Sequence, residues 1–184
     1  GSVAETMITN NYADHIYTLS KGISWITFQN ECAAIRIDDQ LCKQGKGITL
    51  YSSFKQNLKG DKIYTVFEDS EGDEWILTNK GISIIGKKQV DSDFPFQYIK
   101  EADGIIYLVS QSDKLASYNF KTRQFKFIEI PYHVSMINEV KKFDSNTLLL
   151  ATDNGLIIYK IKEKEFQLID IRTSTQPSNV VQSV

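Results

Sequence analysis

Apolar residues along this chain come in short bursts separated by turn-forming residues. Trp75-Ile-Leu, Ile82-Ser-Ile-Ile, Ile105-Ile-Tyr-Leu-Val, Leu148-Leu-Leu-Ala and Leu156-Ile-Ile-Tyr are rich in β-branched, aromatic and leucine residues and are bounded by Gly, Asp, Asn and Ser. Their length and flanks predict strands, and no segment sustains a helical period with caps. The pattern therefore predicts an all-β protein.

The bursts repeat. Ile63-Tyr-Thr-Val runs through a turn at Gly72 to Trp75-Ile-Leu-Thr, then Gly81-Ile. Upstream, Ile16-Tyr-Thr-Leu runs through Gly22 to Trp25-Ile-Thr. Downstream, Tyr98-Ile leads through Gly104 to Tyr107, and Ile137 leads through Asn146 to Leu149, Thr152 and Gly155. The anchors Trp25, Trp75, Tyr107 and Leu149 recur at a mean spacing of about 41 residues, a period that with β-type content belongs to β-propeller blades. Large side chains at the anchor positions are expected to pack blade against blade.

The expected architecture is about four four-stranded antiparallel blades in a single propeller region over 1–184. Approximate blades are 12–54, 60–94, 96–130 and 134–171, with 178–184 starting a further one. In the second repeat the strands are expected at 63–68, 74–78, 82–86 and 96–100 or just before. Pro95, Pro131 and Pro177 fall near the connections, where a missing N–H costs no ladder bond. Propellers close with about 4–8 blades, so four repeats and a fragment fit either a compact ring or, as preferred here, an arc of a larger one. The open edges of an arc predict self-association, with the homodimer as the simplest form.

Composition narrows the function. The 184 residues are 41% hydrophobic, enough for a real core. Twenty-one basic against 23 acidic residues give a net charge of −2, which argues against a nucleic-acid surface. No apolar run is long enough to span a bilayer, and no signal peptide is visible, although Gly1-Ser2 reads as a cloning remnant.

Chemical motifs are sparse. Cys32, on an expected strand, and Cys42, in the loop after it, have no zinc or redox spacing and read as free thiols. Asp69-Ser-Glu-Gly-Asp-Glu lacks the glycine and the final glutamate of a calcium loop and reads as a solvated acidic turn. His15 and His133 have no partner at ligand spacing. Lys160-Ile-Lys-Glu-Lys-Glu165 reads as a solvated, salt-bridged hairpin. Nucleophile-elbow, phosphate-loop and dinucleotide motifs are missing, and no carboxylate pair stands out. The expectation is no enzyme, no metal and no cofactor.

The segment Glu68-Asp-Ser-Glu-Gly-Asp-Glu-Trp75-Ile-Leu-Thr-Asn-Lys-Gly81-Ile resembles the two-component regulator propeller repeat, and Ser178-Asn-Val-Val-Gln-Ser-Val resembles its opening. The first and third copies depart from it at Phe28, Ser110 and Asp113, and the fourth lacks the tryptophan. The resemblance implies a periplasmic sensor region of a hybrid histidine kinase. Such a region is anchored through an inner-membrane helix of the parent protein, responds to glycans and signals as a dimer. No kinase motif lies in these residues. The alternative is a structural or protein-interaction propeller without a small-molecule site.

In a propeller, the turns between second and third strands share a rim with the connections between blades. Here that rim is expected to carry Gln29, Asn30, Asn79, Lys80, Gln111, Ser112, Asp153 and Asn154, with Phe94, Phe96, Tyr132 and His133 from the connections. Amides, charges and rings together can hold an oligosaccharide. The candidate ligand contacts are Asn79, Lys80, Gln111, Asn154, Tyr132 and His133. Turn chemistry alone also favours Asn, Gln, Asp and Ser there.

Overall fold

The computed structural model describes residues 12–29, 34–88, 90 and 92–184. Asn30 and Cys32 lie outside these residues. The chain forms two compact units, 1–95 and 96–184.

The first unit holds two sheets. One has the order β1 (Ala13–Thr18), β2 (Ile23–Phe28), β3 (Ala34–Asp38), β4 (Ile48–Tyr51). The other has the order β5 (Ile63–Glu68), β6 (Glu74–Thr78), β7 (Gly81–Ile85). The second unit holds β8 (Phe96–Ala102), β9 (Ile105–Ser110), β10 (Leu115–Asn119), β11 (Gln124–Ile128) in one sheet. A second sheet there has β12 (Ile137–Asp144), β13 (Thr147–Thr152), β14 (Gly155–Lys160), β15 (Glu165–Ile169). Neighbouring strands pair antiparallel in sequence order throughout, so each sheet is a meander of propeller-blade type.

The four anchors occupy one position. Trp25, Trp75, Tyr107 and Leu149 each lie on the second strand of their sheet, three residues before its end. Trp25 and Trp75 are fully buried, Tyr107 is buried and Leu149 is half-buried. In the first unit Trp25 packs with Val66 and Ile76 of the neighbouring sheet. In the second unit Tyr107 joins Ile157 and Tyr159 of its neighbour in one core. A further repeated feature is a register shift early in every first strand, at Asp14, Tyr64, Gln97 and Asn138. Such a bulge bends the strand and increases its twist.

Three local expectations are corrected. First, residues 96–102 open the third sheet instead of closing the second. Asp103 and Gly104 both have positive φ (52° and 70°), which builds a tight hairpin from Phe96–Ala102 into β9. Phe96 is accordingly a core residue, 6.0 Å from the Phe125 ring, and not part of an exposed connection. Among the described residues the second sheet has three strands, and Ser92 lies alongside β7, its carbonyl accepting from Ile82 N–H (3.0 Å). Gly81 permits that approach: its φ is 125°, and a Cβ there would overlap the Ser92 carbonyl.

Second, Cys42 lies not in an open loop but on a one-turn helix, α1 (Asp39–Cys42). The helix forms because the Asp38 carboxylate caps it, accepting from Gln40 N (3.0 Å) and Leu41 N (3.1 Å). Third, the charges of 160–165 do not bridge one another. Lys160 Nζ donates to Thr147 Oγ1 (2.8 Å), Glu163 accepts from Asn146 Nδ2 (2.8 Å), and Ile161 is buried.

Candidate functional site

Two of the amides on the predicted rim, Asn79 and Asn154, hold the fold. In the first unit Asn79 Oδ1 accepts from Asp61 N (3.0 Å) and Lys62 N (3.1 Å), and Asn79 N donates to Lys62 O (3.0 Å). In the second unit Asp153 repeats this geometry on Ser135 N (3.0 Å), Met136 N (3.1 Å) and Met136 O (3.0 Å). Each residue follows a buried threonine, Thr78 or Thr152, whose hydroxyl donates to Gly81 O (2.8 Å) or Gly155 O (2.6 Å). The recurring Thr-Asx-x-Gly turn is thus a clamp on the chain entering the first strand of its sheet.

The other candidates divide. Asn154 Nδ2 donates to His133 O (2.9 Å), and its Oδ1 accepts from Asn179 Nδ2 (3.1 Å), so His133 and Asn154 lie together. Tyr132 turns its hydroxyl to Phe166 O (3.0 Å). Gln111 gives its carbonyl to Ile137 N (2.8 Å), leaving its exposed side chain to solvent. Lys80 and His133 are exposed, and Asn79 and Lys80 belong to the other unit. The side-chain hydrogen-bonding capacity of Asn79, Asn154 and Tyr132 is largely used internally.

The acidic turn is not solvated, which corrects its reading from sequence. Asp69, Asp73 and Glu74 are buried. Lys88 Nζ sits where a cation would, 2.8 Å from Asp69, 2.7 Å from Glu71 and 3.4 Å from Asp73. Asp69 also accepts from Glu71 N (2.9 Å), Asp73 N (3.0 Å) and Trp75 Nε1 (2.8 Å). Burial alone would lower the Lys88 pKa, but hydrogen bonds to Asp69 and Glu71 and the Asp69 and Asp73 charges outweigh it and raise it. Burial would raise Asp73, yet the Lys87 and Lys88 backbone N–H groups and the ammonium hold it below the usual carboxylate range. Glu74 faces the other way. It accepts from Trp25 Nε1 (2.5 Å) and takes a forked pair of bonds from Arg36 (3.0 and 2.8 Å). This carboxylate fastens the first sheet to the second.

Each unit has a cleft lined by its first-to-second-strand turns and its third-to-fourth connections. The first unit's cleft, about 370 Å³, is lined by Lys21, Arg36, Asp38, Glu68 and Glu74, whose charges largely pair. Glu68 is occupied there by the Ser20 N–H (2.6 Å) and hydroxyl.

The second unit's cleft, about 520 Å³, differs in kind. Its floor carries Tyr107 and Tyr159, ring centroids 6.1 Å apart and both 3% exposed. Asn119 and Gln124 line one side, and three lysines, Lys126, Lys162 and Lys164, face a single carboxylate, Asp103. Burial raises the pKa of both phenols, with Tyr159 and Asp103 adding to the effect at Tyr107. Sequence reading missed this cleft. Its signal was the polar alternation of Ser117, Asn119, Gln124 and Lys126 on strand positions that a fully packed sheet would fill with apolar residues.

No known family profile matches the chain, and no curated protein matches it in sequence. Solved structures do match its fold. The extracellular domain of BT4673 from B. thetaiotaomicron, assigned to a hybrid two-component system, aligns over 94% of this chain and 24% of that one at 19% identity, TM-score 0.69. The corresponding domain of BT3049 from the same organism aligns over 84% of this chain and 23% of that one at 14% identity, TM-score 0.60. Virginiamycin B lyase from Staphylococcus aureus aligns over 88% of this chain and 56% of that one at 19% identity, TM-score 0.65. The chain spans about a quarter of the length of the two-component extracellular domains. At these identities the likeness is one of fold: the chain is similar to propeller-like extracellular domains of two-component systems and to a propeller-like lyase.

Proposed function

We propose that this chain is part of the ligand-binding sensor region of a two-component signalling protein. That region lies in the periplasm, is anchored through a helix elsewhere in the parent protein, and responds to an oligosaccharide. The observation that carries the reading is the fold likeness over 94% of the chain to an extracellular domain of that class. The second unit's cleft adds a place for a ligand, because a concave site with rings at its floor and polar groups at its margin is the usual form of a small-molecule site. The region binds and does not catalyse; any kinase lies outside these residues.

Two measurements test this. An antibody against the chain should label the membrane fraction of the native organism and lose its epitope when spheroplasts are treated with protease. A soluble or protease-protected protein refutes the location. Thermal unfolding of the chain against a panel of neutral and acidic oligosaccharides should find at least one that stabilises it, by about 2.7 kcal/mol at a hundredfold excess over its Kd. A panel without a single stabilising member refutes ligand sensing by these residues and favours an interaction propeller.

A further inference from the structure

We infer that the second unit's cleft is a binding site for an acidic saccharide, one carrying carboxylate or sulfate groups on its rings. The inference rests on the sensor reading above and specifies the site and the class of ligand.

The chemistry of the lining points one way. Lys126, Lys162 and Lys164 are exposed at the margin, and among the described residues none of them has an ion-pair partner. Asp103 is the one carboxylate in the lining, and Glu163, beside the cleft, also acts on Lys162, so the lining itself holds an excess of two positive charges inside a chain of net charge −2. Isolated surface lysines would be unremarkable, but these converge on one concavity whose low-dielectric walls strengthen their field. The floor adds donors. The Tyr107 and Tyr159 side chains are buried, and among the described residues neither hydroxyl has a hydrogen-bond partner. Neither hydroxyl is sealed from solvent, so each keeps a donor that a ligand's acceptor can take in place of water.

The amides are biased likewise. The Asn119 side-chain oxygen is already occupied by Lys121 N (2.9 Å) and Thr122 N (3.2 Å), which leaves its NH₂ to donate. The site therefore offers ammonium, phenol and amide donors around an apolar floor. A ligand that fits must be rich in acceptors, negatively charged and able to lay a C–H face on the exposed Phe127 side chain of the lining. An acidic sugar meets all three conditions: its ring hydroxyls and ring oxygen accept from phenol and amide, its acid group pairs with lysine, and its pyranose face covers the Phe127 side chain, which lines the cleft and is 56% exposed. A neutral sugar leaves the lysines unused, and a bare anion leaves the floor unused.

Calorimetric titration of the 184-residue chain with three probes tests the inference. These are a tetrasaccharide of galacturonic acid, a tetrasaccharide of galactose and inorganic sulfate. The acidic tetrasaccharide should bind at least about tenfold more tightly than either of the others, as expected for two or more charge-assisted bonds. Its affinity should fall as salt is raised. Lys126→Gln with Lys162→Gln should weaken it about tenfold or more. Tyr107→Phe should weaken it severalfold without lowering the unfolding temperature, because the lost hydroxyl has no internal partner.

Equal binding of the neutral tetrasaccharide overturns the charge argument, and equal binding of sulfate shows an adventitious anion site only. Full affinity in the double lysine variant moves the site elsewhere. If the chain binds a neutral saccharide and ignores the acidic one, this inference fails while the sensor reading stands. If no saccharide binds at all, both fail.

Discussion

Replacing Lys88 by Met should be among the most damaging single changes to the first unit, even though lysine is ordinarily a surface residue. The ammonium contacts three carboxylates, and its side chain is 5% exposed. Asp69 and Asp73 beside it are 0% and 6% exposed, so neither can recruit bulk water when the cation goes. Glu71 is 58% exposed, and its bond to Lys88 is discounted for solvent screening. Removing one partner of a buried ion pair costs about 3–5 kcal/mol, since the other charge is left uncompensated. The backbone N–H groups already on Asp69 and Asp73 moderate this and place the expected loss near the lower end, about 3 kcal/mol. For a chain of this size that is a fall of about 6–12 °C in the unfolding midpoint.

The pH dependence separates this mechanism from loss of packing. Asp73 has a depressed pKa, so its contribution is present above the unfolded carboxylate value and is lost as pH falls through the folded one. Lys88 has a raised pKa, so its contribution is complete below the unfolded lysine value and is lost only as pH rises through the folded one. At neutral pH both are intact in the wild type. In Lys88→Met Asp73 loses its cation and takes up a proton more readily. The gap between variant and wild type should therefore be widest near neutrality and narrow below about pH 4. Thermal unfolding by circular dichroism from pH 3 to 8 measures it, with Lys80→Met as the exposed control. A midpoint within 2 °C of the wild type at neutral pH, or a gap that does not change with pH, would refute the reasoning.

Two further perturbations test the repeat. Trp75→Ala removes a fully buried indole and its bond to Asp69, and should cost about 3–5 kcal/mol in denaturant unfolding. Asn79→Ala and Asp153→Ala should each cost about 1–3 kcal/mol by orphaning the paired N–H groups they accept from, whereas Lys80→Ala should be neutral within about 0.5 kcal/mol. If the two clamp variants unfold like Lys80→Ala, these residues are free for a ligand and the structural role is wrong.

The blade pattern was legible because its determinants are local. A strand, a hairpin turn and the next strand fit within about a dozen residues, and Thr78 with Gly81 writes the same turn as Thr152 with Gly155. The boundary at residue 96 was harder. Both the end of one sheet and the start of the next are apolar runs near Pro95, and only the Asp103-Gly104 hairpin, with positive φ at both residues, assigns Phe96–Ala102 to the later sheet. The acidic turn was misread because its neutralising partner, Lys88, stands 15 residues beyond Asp73, past two strands and a bend at Gly86. Composition records the six-residue acidic run but not the lysine that returns to it.

The rim candidates show why residue type locates a turn more readily than a site. Asn79 finds its partners 17 and 18 residues back, and Asp153 does the same at the same offsets. An Asx directly after the buried threonine in both copies was a readable sign of a structural role, because two different ligand contacts would have no reason to keep one internal geometry. The cleft of the second unit has the opposite character. It gathers Tyr107, Asn119, Lys126, Tyr159 and Lys162 from separate strands and turns, and nothing in their spacing marks them as a set. What they share is a departure from the repeat's own logic. Tyr107 stands where Trp25 and Trp75 stand, but it has a hydroxyl, and that hydroxyl has no partner among the described residues. Trp25 and Trp75 each spend their one donor on an internal carboxylate, Glu74 and Asp69. The anchor position thus consumes its polar group in the first unit and, among the described residues, leaves it without an internal partner in the second. That difference between copies of one repeat is what makes the second unit's cleft, and not the rim, the proposed binding site.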